Sequence, residues 1–290
     1  MLRKWLTKEA SPVLLFTVIG FLVMGYHPGA EDDGIYLSAL KSDLNPALFP
    51  HDSAFFKLQM RTSIFDTWMA HFVVWTGIPV PWSAILWQTL SILLIVWASW
   101  RIVCELFEEP AARWGGVAML VAMFTLPVAG TAIFIMDQYL HPRNLAAGLI
   151  LFAVSRILAE KWWQALPLAL LGFVLHPLMG AFGLSFCAVL TVLTSERLRE
   201  RIGIPRAELI PESEVTVAGA IPFGWVFDPP SPSWLRALHS RHWFRFYEWK
   251  WYELLGAIAP LALFWLLIRF AREQGREKLA RFATRSEERL

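Results

Sequence analysis

Charged residues are scarce in this chain. They make up 17% of its 290 residues, whereas hydrophobic residues make up 56%. Soluble domains usually carry about 25% charged and about 45–50% apolar residues, so the composition argues against an ordinary soluble domain. The mean hydropathy is +0.47, and the apolar residues form runs close to the roughly 20 residues that cross a hydrocarbon core. The composition therefore predicts an integral membrane protein.

Cysteine is also nearly absent. Cys104 and Cys187 both lie in apolar runs and form no CxxC pair, which argues against a disulfide framework and against a cysteine zinc site. No P-loop, HExxH or GxSxG motif occurs in a suitable context. The basic residues do not form the stripe that binds nucleic acid, so we expect no nucleic-acid partner.

Basic residues precede the first apolar run. Arg3, Lys4 and Lys8 come before residues 13–24, and no small-x-small cleavage site follows them. This pattern predicts an uncleaved signal anchor with a cytoplasmic N-terminus. Residues 26–62 then form the first outer loop, in which an interfacial helix over residues 35–44 ends at Asn45-Pro46.

Further apolar runs predict further spans. Residues 83–104, 114–134, 142–158 and 253–270 each suit one span, and the run 163–193 suits two short spans that meet near His176-Pro177. Residues 63–80 suit either a weak span or a second interfacial helix. The sequence thus predicts an all-α fold, a polytopic transmembrane bundle of about six to eight spans, with interfacial helices in the first outer loop. We expect it in the bacterial inner (cytoplasmic) membrane.

Three regions follow from this pattern. Residues 1–195 form a transmembrane module with the acidic outer loop, residues 196–251 form a polar and aromatic loop, and residues 252–290 form the last transmembrane helix and a basic cytoplasmic tail.

Three acidic residues, Glu31, Asp32 and Asp33, follow the first span. A carboxylate at this position can act as a general base or as a metal ligand. The alternative is a helix cap, since Asp accepts hydrogen bonds from the first N–H groups of a helix. A cap needs one acid, and three in a row exceed that need.

A second polar group lies in the next outer turn, around Asp137 and His141. Pro142 suits the first position of a helix, and the free N–H groups of that turn, with Arg143, suit a phosphate. The alternative is that Arg143 only anchors the helix at the membrane surface.

Two further histidines complete the candidate set. His176 precedes Pro177 within an apolar stretch and is either functional or a hydrogen-bonded structural group. His51 and Asp52 form an outer-loop pair that a solvated turn explains equally well.

This arrangement resembles the membrane-embedded glycosyltransferases of the GT-C superfamily over residues 10–195. The first outer loop of that superfamily carries an acidic motif of the D-x-D, E-x-D or D-D type, which Glu31-Asp32-Asp33 matches. A second acid often lies in the following outer loop, where Asp137 stands. GT-C enzymes are usually longer and often carry a soluble outer domain, so the resemblance implies a fragment, a split reading frame or a reduced relative.

The resemblance implies inverting transfer of a sugar from a polyprenyl-phosphate donor to an extracytoplasmic acceptor. One of Asp32 and Asp33, within a catalytic set that includes Glu31, would be the general base. Arg143 would hold the departing lipid phosphate and His176 would assist. The expected substrate-binding residues are Asp137, His141, Arg143, His176, His51 and Asp52.

Two other functions remain open at this point. A transporter or lipid-binding protein also uses intramembrane carboxylates and broken helices, and a non-catalytic subunit of an envelope assembly suits the aromatic segment 239–251. No cofactor is implied, although adjacent carboxylates can bind a divalent metal ion. The expected partners are membrane lipid and a polyprenyl-phosphate sugar donor, and no protein partner is identified.

Overall fold

A computed structural model describes residues 2–51, 54, 57–58, 62–126, 134–195, 232–239, 246–276, 278–280 and 282–283. Helices account for the regular structure of these residues, and no β-strand occurs among them. The predicted all-α class is therefore confirmed. The predicted loop 196–251 lies largely outside the described residues.

The α-helices are α1 (Leu2–Met24), α2 (Asp33–Leu44), α3 (Phe65–Thr76), α4 (Val80–Leu106), α5 (Pro110–Ala122), α6 (Pro142–Leu158), α7 (Trp162–Leu175), α8 (Pro177–Thr194), α9 (Pro232–His239) and α10 (Trp251–Glu273). Short 3-10 turns occupy Pro46–Leu48 and Phe246–Glu248.

Proline sets several of these boundaries. Pro142 and Pro177 each begin a helix, because a proline at the first helical position sacrifices no intrahelical hydrogen bond. The predicted bounds 142–158 and the predicted break at His176 are both confirmed. The predicted span 114–134 is wrong in its extent, since α5 ends at Ala122. Pro127 follows closely, and a proline disfavours helix in the residue before it.

Helix α4 lies at the centre and packs against α6, and α6 packs in turn against α7 and α8. Gly148 allows the close approach of α4 and α6, because a Cβ there would lie 2.9 Å from Cβ of Leu94. On the other side, α1 and α5 pack against α4 through a cluster that includes Val13, Ile92 and Phe124.

The helices of this core alternate in direction. At one end, the N–H of His27, just after α1, donates to the carbonyl of Gln138 just before α6 (2.9 Å). Gln88, in the first half of α4, donates to the carbonyl of Asp137 at the same end (2.9 Å). At the opposite end, the ring of Trp114 early in α5 stacks on Trp100 late in α4, with centroids 3.7 Å apart. Successive core helices therefore run in opposite directions, so every second helix begins at the same end of the core.

Helix α2 rests on this core through its apolar face. Tyr36 and Leu40 are buried against Phe65 and Met69 of α3 and against Leu140. Burying large apolar side chains of this kind contributes about 1.5–3 kcal/mol each. This packing fixes the beginning of α2 beside the turn that precedes α6.

Two of the described helices, α4 with 27 residues and α10 with 23 residues, are long and apolar enough to cross a membrane. Shorter apolar helices occupy Ala10–Met24, Trp162–Leu175 and Pro177–Val192. A bundle of six to eight spans stays a prediction.

Replacing Gly180 by alanine should destabilise the protein by about 1–3 kcal/mol or more, because overpacking usually costs this much. A Cβ at this position would collide with the backbone Cα of Phe173, where α8 meets α7. Thermal unfolding in detergent measures the change. Gly115→Ala in α5 is the matched control, since its Cβ would meet nothing within 4 Å, and alanine favours helix by up to about 1 kcal/mol. Equal unfolding temperatures for the two variants would contradict the α7–α8 packing.

Candidate functional site

The beginnings of three helices meet at one end of the core. Asp32, His141 and His176 immediately precede α2, α6 and α8. Nε2 of His141 lies 3.8 Å from Oδ2 of Asp32, and the rings of His141 and His176 have centroids 5.7 Å apart. We call this group, with Asp137 and Arg143, the helix-start site. Helix N-termini carry partial positive charge, so their meeting favours a bound anion.

His141 is buried and caps α6. Its Nδ1 accepts a hydrogen bond from the backbone N–H of Arg143 at 2.9 Å, and its ring packs edge-on against Tyr36, with centroids 4.9 Å apart. A neutral imidazole carries one hydrogen. Because Nδ1 is an acceptor here, the hydrogen of neutral His141 lies on Nε2, the atom that faces Asp32.

His176 caps α8 in the same manner. Its Nδ1 accepts from the backbone N–H of Met179 at 3.2 Å. Burial, together with the nearby His141 and Arg143, lowers the pKa of His176 to about 4. The ring is therefore neutral at pH 7 and offers Nε2–H as a donor. The structural interpretation of His176 is thus supported by its cap, and the cap leaves one donor group for a ligand.

These caps alter the expected phosphate site. The sequence predicts free N–H groups at the start of α6. In the structure, the N–H of Arg143 donates to Nδ1 of His141, and the N–H of Asn144 donates to the His141 carbonyl at 3.0 Å. The histidine side chain competes for donors that a phosphate would use. An anion at this site would instead meet imidazole N–H groups and the field of the helix ends.

The three acids of the outer loop have different environments. The Asp32 side chain is 65% exposed, and it forms no capping bond to α2. The pKa of Asp32 lies below its usual value, mainly because His141 lies beside the carboxylate, and Arg143 adds to this effect. Glu31 is exposed and has a left-handed backbone, with φ of 46°, a conformation that costs non-glycine residues about 1 kcal/mol or more.

Asp33 is the buried member, with 0% exposure. Its Oδ2 accepts a hydrogen bond of 2.6 Å from the N–H of Gly29, so its side chain closes the turn before α2. Burial raises the pKa of the Asp33 carboxyl above its usual value. The capping alternative is therefore replaced by two separate roles: Asp32 faces His141, and Asp33 holds the turn.

Asp137 and Arg143 form a bidentate ion pair. Nε of Arg143 donates to Oδ2 of the buried Asp137 at 3.1 Å, and Nη2 donates to Oδ1. Parallel bonds of this kind are among the stronger ion pairs. Arg143 is thus held inside the site by Asp137, which does not support the alternative of a surface anchor, and part of its charge is already neutralised.

Two residues outside the expected set hold this ion pair in position. Asn144 donates from Nδ2 to the carbonyl of Tyr139 at 3.2 Å and accepts from the N–H of Asp137 at the same distance. Gln88 donates to the Asp137 carbonyl. A polar residue within an apolar run is a recognised signal of function, and Gln88 carries this signal in the sequence.

Of the two remaining expected residues, the structure describes only His51. His51 is exposed, and none of the contacts found among the described residues joins it to the helix-start site. Asp52 lies outside the described residues. Within the described part of the chain, no group of three or more His, Cys, Asp or Glu residues is arranged to hold a metal ion.

Comparisons of the chain with protein-family models, with curated proteins and with solved structures find no match. The resemblance to the GT-C superfamily therefore depends on the residues alone.

Replacing Asp137 by asparagine should destabilise the protein by about 3–5 kcal/mol, because it leaves the charge of Arg143 without its partner inside the site. Chemical unfolding in detergent measures the loss. The double variant Asp137→Asn/Arg143→Gln should recover part of it, and the exposed Glu108→Gln should change stability by less than about 0.5 kcal/mol. Unchanged stability in the Asp137 variant would show that the ion pair is not formed.

Proposed function

We propose that this chain is a multi-span protein of the bacterial cytoplasmic membrane that transfers a sugar from a polyprenyl-phosphate donor to an extracytoplasmic acceptor. The main support is that the exposed carboxylate of Asp32 lies beside His141 where three helices begin. A base and an anion-binding surface thus stand side by side. Group transfer from a phosphate leaving group needs both.

The surface of the helices supports a location in the membrane. Large apolar side chains are exposed along α1, α7 and α10, including Leu22, Leu170 and Leu263. Contiguous exposed apolar surface marks contact with lipid or with another protein. At 1.5 Å per residue, α4 and α10 measure about 35–40 Å, more than the roughly 30 Å hydrocarbon core. In the proposed arrangement the shorter apolar helices supply the further spans.

The basic residues support the orientation. Arg101, Arg113, Arg156 and Lys161 lie at the ends of core helices remote from the helix-start site. Positively charged loops remain in the cytoplasm, so the helix-start site would face outward and the N-terminus inward. A lipid-linked donor in the outer leaflet would then meet the site at the membrane surface.

Exposure distinguishes the two candidate bases. Asp32 is reachable from solvent and, with its lowered pKa, is ionised at neutral pH. Asp33 is buried and bonded to Gly29, so it cannot meet an acceptor hydroxyl without breaking the turn. We therefore assign the general base to Asp32 and a positioning role to Asp33, while the exposed Glu31 stays next to the base.

The proposed transfer is a single displacement. The acceptor oxygen attacks the anomeric carbon as Asp32 removes the hydroxyl proton, and the bond from that carbon to the phosphate oxygen breaks. The electron pair of this bond goes to the phosphate, and the configuration at carbon inverts. Nε2–H of His176 and the unused N–H groups of Arg143 would stabilise the departing anion, since only Nε and Nη2 of Arg143 bind Asp137.

Asp32→Asn should lower the rate of polyprenyl-phosphate release by about 10²-fold or more, the usual contribution of a general base, while donor binding persists. The purified protein in detergent is incubated with radiolabelled polyprenyl-phosphate sugars, and bound donor and released lipid phosphate are measured separately. Glu108→Gln, an exposed carboxylate at the other end of the core, is the matched control.

Turnover that survives in Asp32→Asn would overturn the role of Asp32. Failure of the parent protein to bind any donor would overturn the transferase proposal and favour a transporter or an assembly subunit.

A further inference from the structure

Asp66, near the start of α3, is buried without a hydrogen-bond partner. Its exposure is 1%, and neither carboxyl oxygen bonds to any of the described residues. An ionised carboxylate in apolar surroundings costs several kcal/mol unless it is paired. A carboxyl group in this position therefore favours its neutral, protonated form.

A small cavity lies between α2 and α3, beside this group. It is lined by Asp33, Asp66 and Tyr36 together with apolar side chains such as Leu40 and Met69. It leaves about 10 Å³ for the centre of a water molecule, close to the least that one water needs, about 10–15 Å³.

The unpaired carboxyl oxygens around this cavity match one water molecule. Oδ1 of Asp33 has no partner among the described residues, and the same holds for both oxygens of Asp66. A buried water usually makes about three hydrogen bonds. A protonated Asp66 can donate to such a water, and the water can donate to Oδ1 of Asp33 and to the other oxygen of Asp66.

We propose that Asp66, one water molecule and Asp33 form a proton-binding site that holds α2 against α3. With the proton bound, the chain of hydrogen bonds joins the two helices. After the proton leaves, two carboxylates face one small apolar cavity and repel each other. Because Asp33 also closes the turn at Gly29, loss of the proton loosens the start of α2, which carries Asp32. This site does not depend on the proposed transferase activity.

Burial and the charged surroundings place the transition near neutral pH. Burial, together with the exposed Asp43 of α2, raises the pKa of Asp66 to about 7. Burial and the nearby Asp33 raise the pKa of Tyr26 to about 12, so that phenol stays neutral. The apolar cluster receives only uncharged side chains from α4, including Ala84 and Trp87. The other titratable groups close to the two acids are Tyr36, Lys41 and His141.

The sign of the pH dependence follows from the raised pKa. The folded state binds the proton more tightly than the unfolded state, so the stabilisation is complete below about pH 4 and is lost as the pH rises through about 7. Asp66→Asn stays neutral at every pH. The unfolding temperature of the variant minus that of the parent should therefore increase as the pH rises from 5 to 8. If this difference is the same at every pH, the proposal is overturned.

Infrared spectroscopy of the parent protein tests the site without relying on a variant's stability. A protonated carboxyl band should be present at pH 5, disappear with a midpoint near pH 7, and be absent from Asp66→Asn. Asp33→Asn and Asp43→Asn should each lower the midpoint, because each removes a negative charge, and Glu108→Gln should not. A midpoint near pH 4, or one that Asp33→Asn leaves unchanged, would contradict the shared site.

Discussion

The caps that His141 and His176 form at the beginnings of α6 and α8 are the interactions on which the site depends. Each helix leaves N–H groups without intrahelical partners at its start, and here an imidazole Nδ1 takes one of them. The same bond fixes where the imidazole hydrogen lies. Both neutral rings therefore carry their hydrogen on Nε2, and Nε2 of His141 faces Asp32. A requirement of helix structure thereby produces the donor groups of the site.

Burial then gives different properties to carboxyl groups that look alike in the sequence. Asp32 is exposed and kept ionised by His141, Asp33 is buried and closes the turn at Gly29, and Asp66 is buried without a partner. A low-dielectric environment penalises the charged form of each group in proportion to its isolation from water and from counter-charge. The division between a reachable base, a positioning acid and a proton-binding acid follows from this one physical effect.

Local signals in the sequence sufficed for much of the fold. Pro142 and Pro177 mark helix starts by their own stereochemistry, so the bounds of α6 and the break at His176 could be predicted. The end of α5 was missed because the apolar run continues past it. The contact of Asp32 with His141 joins residues remote in sequence, and it depends on how Tyr36 packs α2 onto the core. No local pattern reports such packing, and the burial of Asp66 without a partner depends on contacts between helices of the same kind.

Nitrogen-15 NMR of the histidine rings in the detergent-solubilised protein would test this arrangement most directly. We expect the resonances of His141 and His176, assigned with single His→Gln variants, to show hydrogen on Nε2 and a bare Nδ1 at pH 7. We also expect His176 to stay neutral until the pH falls to about 4. Hydrogen on Nδ1 of either ring would contradict the caps, and with them the geometry of the helix-start site.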